Sequence, residues 1–328
     1  MDRRAFLATW ISGLLAAPWA VGAQSPSKTF RIAYLEFGSA APGTPPLEAF
    51  RAGLRQLGWV EGQNIAIEVR GAEGKQDRLP ELAAGLVRLK VDLIFASTTP
   101  AALAAKQATT TIPIVIGFVA DPVGSGLVRR LAHPAGNITG WTHLAGLELN
   151  AKRLDILKEA IPGAARIAAL WNPANPIHGP SLKVIEAAAR RLKVQLHPMG
   201  VQDPDQLDGA FSRMAQEHVQ ALTVPPDGMF LAHQARIIDL AASHRLPAMY
   251  GVRELVEAGG LMGYGVNLPE MYRRGAFFVD RILKGANPGD LPVEQPTNFE
   301  LVINMRTAKA LGLTIPPTLL QRADQVIE

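Results

Sequence analysis

At 328 residues, with 48% apolar and 19% charged residues, the chain has the make-up of a folded globular protein and excludes a disordered or low-complexity one. Its 33 basic and 29 acidic residues are scattered, with no Lys/Arg stripe interleaved with aromatics, which argues against a nucleic-acid partner. It has no cysteine, which excludes disulfides, a thiol nucleophile, thiolate metal sites and a lipid-anchoring cysteine.

The first 23 residues read as a signal peptide. Arg3 and Arg4 precede an apolar run from Phe6 to Ala20, and "VGA" supplies a small-x-small cleavage site at Ala23. The run is short for a membrane span. The Arg pair followed by x-Phe-Leu fits a twin-arginine export signal or an ordinary secretory n-region. The mature chain is expected to start near Gln24 and to be soluble in the periplasm. Without the two arginines and one aspartate of the leader it carries 31 basic and 28 acidic residues.

From Phe30 on, short apolar runs alternate with amphipathic stretches, the pattern of a doubly wound α/β sheet. "FRIAYLEF", "NIAIEVR", "VDLIFAS" and "IPIVIGFV" read as strands. "PLEAFRAGLRQLGW", "DRLPELAAGLVRLK" and "PAALAAKQA" read as the helices between them, with a short helix "PVGSGLVRRLA" after Asp121 and "NITGWTHL" closing the half. The pattern then restarts. Helices are predicted at "LELNAKRLDILKEAI", "GPSLKVIEAAARRL", "DPDQLDGAFSRMAQEH", "HQARIIDLAASH" and "VRELVEAG", and strands at "RIAALW", "VQLHPMG", "ALTVP", "LPAMYG" and "LMGYGVN". The tail gives the helix "LPEMYRRGAFFVDRILKG", the Pro-rich connector "ANPGDLPVEQP", the strand "NFELVINM" and the helix "RTAKALGL". Two α/β lobes with the chain crossing between them more than once is the expected organisation.

Ligands of open parallel sheets sit beyond the carboxyl ends of the strands. There "DLIFA" breaks into Ser97, Thr98 and Thr99 before Pro100, so Thr99 reads as an N-cap with proline at the first helical position. The hydroxyls and the free N–H groups of that helix suit a ligand carboxylate, or Thr99 simply caps its helix. Ser39, Asp121, Asn172 and Asp227 follow other strands, where turn formation is the plain alternative. A carboxylate such as Asp121 or Asp227 suits a ligand amine. Trp141, Trp171 and Tyr264 offer flat apolar walls, either to a ligand or to the core and hinge.

Searches for chemistry return little. There is no G-x-S-x-G elbow, P-loop or dinucleotide fingerprint, and the seven histidines show no metal-ligand spacing, most of them being expected at the surface or at helix ends. No catalytic residue, metal or cofactor is assigned.

The stretch "AFRAGLRQLGWVEGQNIAIEVRGAEGKQDRLPELAAGLVRLKVDLIFASTTPAALAAKQATTTIPIVIGFVADPVGSGLV" resembles the bacterial ABC-transporter substrate-binding proteins related to tryptophan/tyrosine-binding components. "HPAGNITG", "YGVNLPEMYRRGA" and "LPVEQPTNFELVINMRTAKALGLTIPPTLLQRADQVIE" carry the resemblance on, so that it spans Phe30 to Glu328. It implies a type I periplasmic-binding-protein fold: two Rossmann-like lobes with parallel sheets, joined by three hinge crossovers and closing on a small molecule. The lobes are expected at residues 28–142 plus about 267–296, and 143–266 plus about 297–328. It also implies an amino acid as ligand, an aromatic one foremost, delivery to an ABC permease with its ATPase, and cleft roles for Ser97, Thr98, Thr99, Asp121, Asn172 and Asp227; a monomer is expected, since such a protein must dock by both lobes. Two features depart from the pattern: the lipid-anchoring cysteine of many relatives is absent, and Asn267 stands where an acidic residue is common. A ligand-binding sensor subunit and an exported hydrolase using Asp121 or Asp227 are the alternatives.

Overall fold

The computed structural model describes residues 28–39 and 41–328, so the leader expected over residues 1–23 and the start near Gln24 lie outside the described residues. The first lobe is built in chain order from β1 (Phe30–Glu36), α1 (Pro45–Gln56), β2 (Ile65–Gly71), α2 (Leu79–Arg88), β3 (Leu93–Thr98), α3 (Thr99–Ala108), β4 (Ile114–Val119) and β5 (Ile138–Thr142). Its five strands pair in parallel in the order β2-β1-β3-β4-β5. Every residue of β3 and β4 is buried. Helices cover both faces, which is why these strands read as continuous apolar runs without alternation.

The second lobe follows with α4 (Glu148–Ala160), β6 (Arg166–Trp171), α5 (His178–Arg191), β7 (Gln195–Gly200), α6 (Leu207–Gln216), β8 (Ala221–Val224), α7 (Gly228–Ala232), α8 (Gln234–Ser243), β9 (Ala248–Tyr250), α9 (Glu254–Glu257) and β10 (Met262–Gly265). The chain then returns to the first lobe as α10 (Leu268–Leu283). It ends in the second with β11 (Glu300–Asn304), α11 (Met305–Leu311), α12 (Pro317–Arg322) and β12 (Gln325–Ile327). The seven strands run in the order β12-β11-β10-β9-β8-β6-β7, all neighbours parallel except the antiparallel pair β10 and β11.

Three crossovers therefore join the lobes: β5 to α4, β10 to α10, and the segment leading to β11. The return of α10 has a packing cause. Leu268, Met271, Tyr272, Gly275, Ala276, Phe278, Val279 and Ile282 recur at three- and four-residue steps and form one buried face, which lies on α1 and on β3, β4 and β5. Each large side chain buried there contributes about 1.5–3 kcal/mol, enough to hold the helix across the sheet. The third crossover is strapped to the first lobe. Glu294 donates its N–H to Gly140 O at 3.0 Å, accepts from Thr142 N at 3.0 Å, and its carboxylate takes two bonds from Arg274 at 2.8 and 2.7 Å.

Four local expectations need correction. The segment "PVGSGLVRRLA" forms turns in place of a helix, because Asp121 Oδ1 accepts from Val123 N and Gly124 N at 3.1 and 2.8 Å and closes a tight turn. Thr98, not Thr99, holds the N-cap of α3, Thr99 and Pro100 occupy its first turn, and no side chain caps it. α12 and β12 extend the tail beyond "RTAKALGL", and α7 is an additional turn of helix before "HQARIIDLAASH". His143, outside any helix, is buried to 4% exposure against the expectation of a surface or helix-end position, while His178 does stand at the start of α5 but is buried to 2%.

Candidate functional site

On the first lobe the strand ends form a polar shelf. β3 passes straight into α3, so Ser97 and Thr98 are buried at the junction, and neither Ser97 Oγ nor Thr98 Oγ1 has a hydrogen-bond partner. The amides of the first turn of α3 are likewise uncapped. A shelf of buried hydroxyls at a helix N-terminus favours an anionic group. Behind it, Glu36 accepts from Gly38 N at 3.1 Å and from the Tyr34 hydroxyl at 3.3 Å, while the Tyr272 hydroxyl donates to Ser97 O at 3.5 Å. Burial raises the Glu36 pKa; the Ser97 hydroxyl opposes this from nearby, short of hydrogen-bond geometry.

Across the cleft the second lobe presents a buried carboxylate. Asp227 follows β8 and caps α7 by accepting from Met229 N at 2.9 Å and Phe230 N at 3.3 Å. Its other bonds come from Asn175 Nδ2 at 2.8 Å and Asn172 Nδ2 at 3.3 and 3.4 Å. The Asn172 N–H donates to His178 Nδ1 at 2.8 Å, so His178 carries its hydrogen on Nε2, which faces Pro226 O at 3.3 Å and Asp227 Oδ2 at 3.7 Å. No lysine or arginine forms an ion pair with Asp227 among the described residues. Its negative charge is hydrogen-bonded yet not neutralised, which favours a cationic group.

The hinge side carries a buried arginine. Arg153 is 1% exposed and donates to Tyr264 O at 2.7 Å, Asn150 Oδ1 at 2.8 Å and Gly251 O at 3.4 Å, which pins the ends of β9 and β10 to α4. Burial lowers its pKa to about 9. His143 stacks on Phe118 with centroids 4.0 Å apart, and burial, followed by the charge of Arg153, holds its pKa down at about 3. At the same hinge both Glu254 carboxylate oxygens are buried without a partner, and burial pushes that pKa up to about 7.

Three glycines mark places where the two lobes touch among the described residues. A Cβ built on Gly228 would lie 3.1 Å from Thr98 Cγ2 and 3.7 Å from Phe37; one on Gly38 would lie 3.5 Å from the Ala232 Cβ; one on Gly74 would lie 2.8 Å from His233 Nε2. An interlobe cavity of about 510 Å³ is bordered by Phe37, Gly74 and His233 of these contacts. Phe37, Met229 and Asn172 line it, together with charged residues that include Lys75, Asp203 and Arg236.

The structure thus brings Thr98, between Ser97 and Thr99 on one lobe, close to Gly228, the neighbour of Asp227 on the other, and Asn172 lines the interlobe cavity with Phe37. Ser39 is exposed at the end of β1 and accepts from Ala41 N. Asp121 is engaged by its own turn and borders a separate cavity of about 180 Å³ with Thr142 and Gln295. Trp141 is half-buried beside Glu294 at the third crossover, Trp171 lies against Gly200 and Pro173 at the end of β6, and Tyr264 packs on Phe299 at 6.1 Å. Sequence reasoning passed over Phe37, Asn175, His178 and Met229. Only Asn175 had a local signal, three residues after Asn172 in "NPANP".

Residues 46–327 match the ABC transporter substrate binding protein family. The chain belongs to that family. A tyrosine-binding protein of Clostridioides difficile (strain R20291) is 27% identical over 267 residues, covering 81% of this chain and 76% of the relative. The crystal structure of an ABC domain in complex with L-Trp from Streptococcus pneumonia is 26% identical with a TM-score of 0.84, covering 92% of this chain and all of that one (100%). A ligand-free, open substrate-binding protein with adhesive properties from Clostridium difficile is 25% identical with a TM-score of 0.63, over 91% of this chain and 99% of that one. This substrate-binding protein superposes more closely on the L-Trp complex than on the open, ligand-free structure, and its two-lobe architecture is the type I periplasmic-binding-protein fold. Substrate-binding proteins bind small ligands and work with an ABC permease, outside the cytoplasm.

Proposed function

We propose that this chain captures a free amino acid, an aromatic one foremost, between its lobes in the periplasm and delivers it to an ABC permease. One observation carries the reading: a buried, unneutralised carboxylate at Asp227 stands on one lobe, and unpartnered hydroxyls at Ser97 and Thr98 beside the open N-terminus of α3 stand on the other. A zwitterion answers both, with its ammonium toward Asp227 and its carboxylate toward the shelf, and it is held only when the lobes approach. Phe37 and Met229 offer apolar surface to a side chain in the adjoining cavity. The tyrosine-binding relative and the L-Trp complex support the choice of ligand class.

Calorimetry tests this with L-tryptophan, L-tyrosine, tryptamine and indole-3-propionate. Each charge-assisted bond lost contributes about 1.5–3 kcal/mol, so the analogue lacking the carboxylate and the one lacking the ammonium are each expected to bind about 10- to 150-fold more weakly than tryptophan. Absence of binding by any amino acid at millimolar concentration refutes the reading, as does an analogue that binds as tightly as its parent.

A further inference from the structure

His233 sits where α7 meets α8 in the second lobe, and its ring faces Gly74, which follows β2 in the first. The fit is close on both sides. Gly74 has a φ of +75°, and any Cβ there would stand 2.8 Å from His233 Nε2. That nitrogen is buried and has no hydrogen-bond partner. The ring is also at the wall of the interlobe cavity.

We propose that His233 is the positioning residue that closes the cleft: the lobes hold a ligand only when its uncharged imidazole seats against Gly74, and a proton on that ring opens them. The inference rests on the reading that a ligand is captured by lobe closure. Charging Nε2 in the closed form would bury an imidazolium with no acceptor, whereas in the open form water takes that role. The charged groups around the contact are Arg236 on α8, Glu73, Lys75 and Asp77 on the opposing loop, and Asp203 and Asp205 before α6. Asp203 and Asp205 favour the proton; burial and then Arg236 oppose it and prevail, so the His233 pKa lies below its ordinary value in the closed form. Arg236 is itself engaged by Asp208.

The sign follows from linkage. Closure releases a proton from His233 once the pH is near or below the ordinary value of about 6.5, so affinity is full above that pH and falls as the pH drops through it. One proton limits the fall to about tenfold per pH unit.

The test is the dissociation constant for L-tryptophan and L-tyrosine between pH 5 and 8, for the whole chain and for His233→Gln and Gly74→Ala, with small-angle scattering of the ligand-free proteins over the same range. The wild type is expected to lose affinity and expand as the pH falls, His233→Gln to show a flatter profile in both measurements, and Gly74→Ala to bind more weakly at every pH. A His233→Gln profile with the wild-type pH dependence overturns the proposal, and so does Gly74→Ala binding with wild-type affinity. If neither amino acid binds, the ligand reading fails by itself and scattering still decides: the same pH-dependent expansion in wild type and His233→Gln overturns the role of His233, and expansion in the wild type alone supports it.

Discussion

Gly38 and Ala232 give the most direct hold on lobe closure. A Cβ on Gly38 would stand 3.5 Å from that of Ala232, at the lower end of the separation of about 3.5–4.5 Å that a disulfide spans. Replacing both by cysteine in a chain that has none leaves a single pairing available. The bond would close a loop of 194 residues, for which the chain-entropy relation gives a stabilisation of about 5 kcal/mol. Because Gly38 and Ala232 lie on different lobes, the bond forms only in the closed arrangement and then fixes it. The assay is oxidation of Gly38→Cys/Ala232→Cys with glutathione, followed by thiol titration and mobility on non-reducing gels, with and without L-tryptophan. Ligand is expected to speed bond formation, and the oxidised protein to release bound ligand far more slowly than the reduced one and to melt higher. Thiols that stay free under native conditions, or an oxidised protein that exchanges ligand as fast as the reduced one, would refute closure through this contact.

Two further outcomes follow from the site. Asp227→Ala removes the cap of α7 and leaves the Asn172 and Asn175 amides without their acceptor, so urea unfolding should show a loss of about 2–4 kcal/mol along with loss of ligand binding; a variant that unfolds and binds like the wild type contradicts the network. Glu254 has its pKa raised by burial from 4.5 to about 7. Its stabilising contribution is full below pH 4.5 and is lost as the pH rises through about 7, a change on the order of 3 kcal/mol. The stability of the wild type relative to Glu254→Gln should therefore decline between those pH values, and a difference that stays constant with pH would count against the buried carboxyl.

The alternation of apolar runs with helical faces placed almost every strand of both sheets, because burial of a parallel sheet on both faces writes itself into each strand separately. The expected helix after Asp121 failed for a local reason of the opposite kind: one carboxylate oxygen bonding two amides in the next three residues makes a turn that periodicity does not register. Ser97, Thr98 and Thr99 stood out in the sequence because an apolar strand stops abruptly at them, and Asp227 because it follows another strand. That Asn172, Asn175 and His178 converge on Asp227 was not legible, since it depends on β6 and β8 lying side by side in the sheet.

By itself, then, the sequence determined the two α/β lobes, the return of the chain between them and the hydroxyl cluster at the end of β3, all of which arise from short-range patterning and burial. Only the tertiary structure decided which groups face one another across the cleft, that Asp227 keeps an unneutralised charge, and that Gly74 must lack a side chain where His233 comes to rest. Those are relations between residues some 50 to 160 positions apart. They are set by strand order and lobe closure, to which no local pattern in the chain is sensitive.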